Sequence, residues 1–175
     1  MGSTRKKGRT HMGDRTEFQM NLYAVPDDAK DDVVDLFNAW YFGVDWDDRG
    51  TDWTRELLDD VLGGQLAVTD TGFPCGRTGE LAELLAGLGC VFEMHEDPKY
   101  EWLGERAMFH PKLGDEPKLE VCSAEGESLL SEWRYRQLRD EADGDAKLIE
   151  LIEEELGIAY ADQFADLVRE PVTVD

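Results

Sequence analysis

The sequence has few cysteines, few cations and no long apolar run. Its three cysteines, Cys75, Cys90 and Cys122, form an odd, sparse set without CxxC spacing. They make no disulfide framework and point to free thiols in a reducing, cytoplasmic compartment. No stretch approaches the roughly 20 apolar residues of a membrane helix. The segment Met1–Met12 is basic and polar and lacks the apolar core of a signal peptide, so secretion is not expected. GxGxxG, GxSxG and HExxH are all missing, and the Gly72–Gly79 loop lacks the GxxxxGK[ST] spacing of a phosphate cradle. Lys and Arg together number 18 against 40 Asp and Glu, a net charge of −22. That excess repels nucleic acid and anionic membrane surfaces, and it attracts basic proteins and cations.

What is present is a globular chain. It has 175 residues, 41% of them hydrophobic and 10% aromatic, enough for one domain with its own core. Residues 1–16 read as a basic disordered arm or a cloning remnant, 17–142 as an α+β domain, and 143–175 as a C-terminal helical hairpin packed on it. Glu17–Val25 alternates like a strand, with Phe18, Met20 and Leu22 on one face. Val33, Leu36, Phe37, Trp40, Tyr41 and Val44 follow the helical period. A second helix carries Trp53, Leu57, Leu58, Val61 and Leu62 inward and ends at Gly63-Gly64. Gln65–Thr71 reads as a strand, and Leu81–Leu88 as a helix stopped by Gly89.

From Cys90 the period changes to two. Cys90–Glu96, Tyr100–His110 (with a bulge at Gly104) and Lys118–Ser123 read as strands, and Glu127–Leu130 as a short fourth. Ser131 caps a helix through Ala142. Two more helices follow, Ala146–Leu156 and Ala159–Arg169. The order β-α-α-β-α-β-β-β-α-α-α predicts an α+β fold with a mostly antiparallel sheet of four to five strands and a helical C-terminal segment. Trp40, Trp53 and Trp102 fall on core phases, whereas Trp46 belongs to a loop.

Four groups of residues carry candidate chemistry. Asp45, Asp47, Arg49, Gly50 and Glu56 occupy positions 1, 3, 5, 6 and 12 of a calcium loop, so Asp45, Asp47 and Glu56 are candidate ligands. Arg49 replaces an oxygen ligand there, Asp52 occupies a normally apolar position, and no second loop pairs with it. A solvated turn in an Asp-rich chain produces the same spacing by chance. Cys75 precedes a helix N-terminus, where a thiol pKa falls, and His95 or His110 would be its base. Cys90 and His95 are five residues apart on a strand, on opposite faces, which excludes a shared zinc ion. Arg134, Arg136 and Arg139, interleaved with Trp133 and Tyr135, suit either a homodimer contact or internal ion pairs to Glu132, Asp140 and Glu141. Asp27, Asp28, Asp31, Asp32 and Asp35 form one acidic stripe, and Glu150, Glu153, Glu154 and Glu155 a second.

The small, Asp-rich, Lys-poor composition without a catalytic motif resembles that of phage and plasmid accessory proteins from bacteria or archaea with GC-rich genomes. The function expected from these residues is a non-enzymatic accessory protein that inhibits or adapts a basic, nucleic-acid-handling protein, with no cofactor and no direct contact to nucleic acid. Its strongest form is a DNA mimic, which requires the two stripes to lie along one face. The alternatives are a self-associating assembly protein using the Arg134–Arg139 helix, and a small enzyme with a Cys75 nucleophile.

Overall fold

A computed structural model describes residues 15–46, 48, 50–64, 66–99 and 102–174. Five strands form one antiparallel sheet in the order β2-β1-β3-β4-β5. They are β1 (Arg15–Ala24), β2 (Val68–Pro74), β3 (Val91–Glu96), β4 (Gly104–Phe109) and β5 (Lys118–Cys122). The helices are α1 (Lys30–Trp40), α2 (Arg55–Leu62), α3 (Thr78–Gly87), α4 (Glu132–Glu141), α5 (Asp145–Glu155) and α6 (Ile158–Val168). The α+β class and the order of elements are those the periodicity predicts.

Alternation decides what covers the sheet. Phe18, Met20 and Leu22 of β1, with Phe92 and Met94 of β3, point to one face and are almost fully buried beneath α1, α2 and α3. Phe18 stacks on Phe73 at 4.4 Å between ring centroids, Phe42 joins the stack, and Phe37 meets Trp53 edge-on at 4.8 Å. Each such ring contributes about 1.5–3 kcal/mol on burial. Asn38 ties α1 to the start of α2 by donating to the Trp53 carbonyl and accepting from the Trp53 amide. On the opposite face α6 covers one end only. There Phe164 packs with Val91, Met108 and Tyr23, and the Tyr160 hydroxyl donates to the Met108 carbonyl at 3.3 Å.

Several boundaries differ from the sequence expectation. β1 begins at Arg15, within the segment expected to be an arm. Its first residues pair with the end of β2, and the Arg15 guanidinium donates to the Gly72 carbonyl. The rest of the expected arm, and Gln65, lie outside the described residues. α1 stops at Trp40, because Tyr41 adopts φ +60 and caps it. Tyr41 is therefore 73% exposed, and Phe42 takes its place in the core. Tyr100 is outside the described residues, and β4 starts at Gly104 without a bulge there. Gly104 instead permits a close approach, since a Cβ would stand 2.8 Å from the Cys122 carbonyl oxygen and 2.9 Å from that of Glu96. The register breaks fall in β1, between Thr16 and Phe18 and between Leu22 and Ala24. Trp102 is half-exposed rather than core. The expected strand at Glu127–Leu130 is a single bridge from Ser128 to Cys122. Past residue 142 lie two helices, α5 and α6, which pack on each other, and α5, which buries no residue fully, also packs on α4.

Candidate functional site

The loop carrying Cys75 is anchored by a buried carboxylate. Glu96, at the end of β3, is fully buried and accepts from the Gly76 amide at 2.8 Å and the Thr78 hydroxyl at 2.6 Å. It thereby supplies the N-terminus of α3 with an acceptor that the N-cap, Arg77, does not provide. Glu105 sits opposite Glu96 in the β3–β4 register. Burial, then the Glu96 charge, raises its carboxyl above the usual range, while the Gly79 amide partly offsets them. The neutral form of Glu105 is thus favoured on folding. Its contribution to stability is full below the unfolded pKa and declines as pH rises through the folded one. The Arg77 guanidinium lies 4.4 Å from the centre of the Trp40 ring.

The Cys–His arrangement is not assembled. His95 precedes Glu96 on β3 and therefore points to the opposite face of the sheet, toward Asp97 at 3.7 Å. His110 follows the far end of β4, about 20 Å of strand away from Gly104, and its Nδ1 accepts from the Lys112 amide. Burial and the Lys112 charge lower its pKa. Cys90 and Cys122 are buried, and desolvation pushes their thiols up to about 12 and about 11. Only Cys75, half-buried, is open to reagent. Iodoacetamide at neutral pH is expected to label Cys75 roughly 100-fold faster than the other two, because thiolate is the reacting form. Mass spectrometry of the labelled native protein checks this. Equal labelling of Cys90 would contradict its burial in the core.

The acids concentrate on the outer side of α1 and α2. Asp27, Asp28, Asp31, Asp32 and Asp35 are all exposed, and α2 adds Glu56, Asp59 and Asp60. Two cations answer them. Lys30 bridges Asp27 and Asp59 at 2.8 Å each, and Arg55 pairs with Asp31 at 2.5 Å. The hydrogen bond from Lys30 lowers the Asp27 pKa, and that from Arg55 lowers the Asp31 pKa. Among the described residues, Asp28, Asp32 and Asp35 have no ion-pair partner.

The second stripe lies elsewhere. α1 covers the β1–β2 half of the sheet, where its Phe37 packs on Phe42, which in turn stacks with Phe18 of β1. α5 lies beside the β5 edge, where Lys118 donates to the Glu154 carbonyl. Within that stripe Glu150 pairs with Lys147 and Glu155 with Arg134, whereas Glu153 is simply exposed. The two stripes form no single strip, which does not fit the geometry of a duplex mimic.

The α4 arginines are neutralised inside the chain: Arg134 by Glu155, Arg136 by Glu132 and Arg139 by Asp140. Asp45 accepts the Asp48 amide through its backbone carbonyl, and Glu56 is exposed on α2. Asp47 and Arg49 lie outside the described residues. No group of three or more metal-ligating side chains occurs among the described residues.

Sequence reasoning missed one polar feature. Gln19, Asn21, Glu93, His95 and Arg106 line a groove on the sheet face that α6 leaves open, with Glu125 at its rim. Arg106 pairs across strands with Glu93 at 2.5 Å, and the Tyr23 hydroxyl reaches Glu93 at 3.4 Å. Burial, then the Glu93 charge, raises the Tyr23 pKa. The alternation that buries Phe18, Met20 and Leu22 was the available signal, because it places Gln19 and Asn21 on the other face.

No curated protein and no solved structure gives a match to the chain. One family model does match, from residue 43 to residue 170. The matched part runs from the bridge at Gly43 through α6 and leaves out β1 and α1, although β1 lies between β2 and β3 in the sheet. The match spans most of the chain, which therefore belongs to the family described as Protein of unknown function (DUF3145).

Proposed function

We propose that the chain is a non-enzymatic accessory protein of a reducing cytoplasm that binds a basic protein partner through α1 and α2. The observation that carries this reading is the acidic face itself, where Asp28, Asp32 and Asp35 stand exposed without a compensating cation among the described residues. Carboxylates held together on a helix and the turn that leads into it accelerate encounter with a cationic surface and repel anionic competitors. Three cysteines in no disulfide, two of them buried, accord with a reducing compartment. The separation of Cys75 from His95 and His110 favours binding over thiol catalysis, and the internally paired α4 arginines favour a different partner over a second copy.

The test is retention of a partner from host lysate at low and at moderately high salt, beside a variant carrying Asp28→Asn, Asp32→Asn and Asp35→Asn. The expected result is a basic protein held at low salt, released by salt, and bound at least about tenfold more weakly by the variant. A partner bound equally well by the variant would remove α1 from the reading. Retention of no basic protein at low salt would remove the reading itself.

A further inference from the structure

Edge strand β5 inverts the usual sidedness of a strand. Its carboxylate residue, Glu120, is only 8% exposed, whereas Leu119 is 47% and Val121 39% exposed. The register aligns Leu119 with Ala107 and Val121 with Glu105, so both belong to the face that the helices cover elsewhere. α3 packs chiefly on β3 and β4. It meets β5 at Gly79, where a Cβ would stand 3.4 Å from the Leu119 side chain. Leu129, 48% exposed, joins the same patch because its amide donates to the Val121 carbonyl at 2.8 Å. Clustered aliphatic side chains left open on an edge strand are uncommon on monomers and mark contact surfaces.

Beside the aliphatic residues lies a partly buried carboxyl group, that of Glu105. Glu105 neighbours Val121 and faces Glu96, and no cation pairs with it among the described residues. A second copy of the chain would bring an equally acidic patch and a net charge of −22 against it. A cation flanked by apolar groups complements it instead. We propose that the β5 patch docks a basic, apolar-flanked segment of a protein partner, with its arginine or lysine meeting Glu105 and its apolar side chains covering Leu119, Val121 and Leu129. This rests on the basic-partner reading and adds a second contact at the other end of the sheet from α1 and α2.

The experiment titrates the isotopically labelled full chain with a short capped peptide holding one arginine between leucines. Two control peptides replace the arginine by glutamine or the leucines by glycine. The expected result is shifts of the Leu119, Val121 and Leu129 amide resonances by the arginine–leucine peptide. Affinity should fall at least about tenfold in a Leu119→Ser, Val121→Ser variant whose remaining spectrum is unchanged. Glu105→Gln should weaken binding several-fold and remove most of its salt dependence. Shifts confined to α1 and α2 would overturn the β5 site and leave the basic-partner reading standing. Equal binding of the glutamine control would overturn the role of Glu105 and the proposal with it. Amide shifts at β5 that grow with protein concentration alone would give the patch to a second copy and overturn the proposal. An absence of shifts anywhere would also overturn it, while the lysate experiment judges the wider reading separately.

Discussion

Gly157→Ala is expected to lower stability by roughly 3 kcal/mol, which for a chain of this size is about 10 °C in Tm. Gly157 links α5 to α6 with φ +65, a conformation that costs an L side chain about 1 kcal/mol or more. A Cβ there would also overlap Glu120 Oε1 and stand 2.7 Å from Lys118 Cε. Glu120 has little room to retreat, because it is buried and its other carboxyl oxygen accepts from the Ser128 hydroxyl. Glu120 Oε1 has no hydrogen-bond partner among the described residues.

The two sources of the loss separate in a double-mutant cycle. With Glu120→Ala in the background, only the backbone part should remain, so Gly157→Ala should then cost about 1 kcal/mol. Thermal and urea unfolding of the four proteins measure it. A cost unchanged by Glu120→Ala would mean that the turn does not rest on that carboxylate.

The second large effect is expected at Glu96. Glu96→Ala leaves the Gly76 amide and the Thr78 hydroxyl without their acceptor in a buried site, which costs roughly 3 kcal/mol for the two donors. Glu96→Gln keeps one acceptor oxygen and should cost less. Both changes remove the charge that raises the Glu105 carboxyl, so the decline of stability with rising pH that Glu105 brings should shrink in both variants. Hydrogen exchange reads the mechanism directly, since the Gly76 amide should lose protection while the amides of β1 keep theirs. A loss below about 1 kcal/mol, or an unchanged Gly76 amide, would show that Glu96 is not what holds the α3 N-terminus.

How far the sequence carried the candidate site depends on the kind of feature. The α1 stripe was legible because helical period alone places Asp31, Asp32 and Asp35 opposite Val33 and Phe37, with Asp28 in the turn just before the helix. Whether that stripe continued into the α5 acids was not, since the answer depends on which end of the sheet each helix covers. Cys75 was legible as a thiol before a helix. Its relation to His95 depended on whether two segments distant in sequence met on one face, and they do not. The Glu93–Arg106 pair was hidden because register between β3 and β4 is set by the whole sheet and not by either strand.

By itself the sequence determined the order of elements, the single sheet's helix-covered core and the acidity of α1, all of which follow from local period, capping and charge. Only the tertiary structure decided the strand order β2-β1-β3-β4-β5 and the end of α1 at Trp40. It alone also decided the burial of Glu96 and Glu120 and the exposure of Leu119 and Val121. The physical reason is the same in each case. Period tells which residues share a face, but the cost or gain at that face depends on what another, distant segment lays against it.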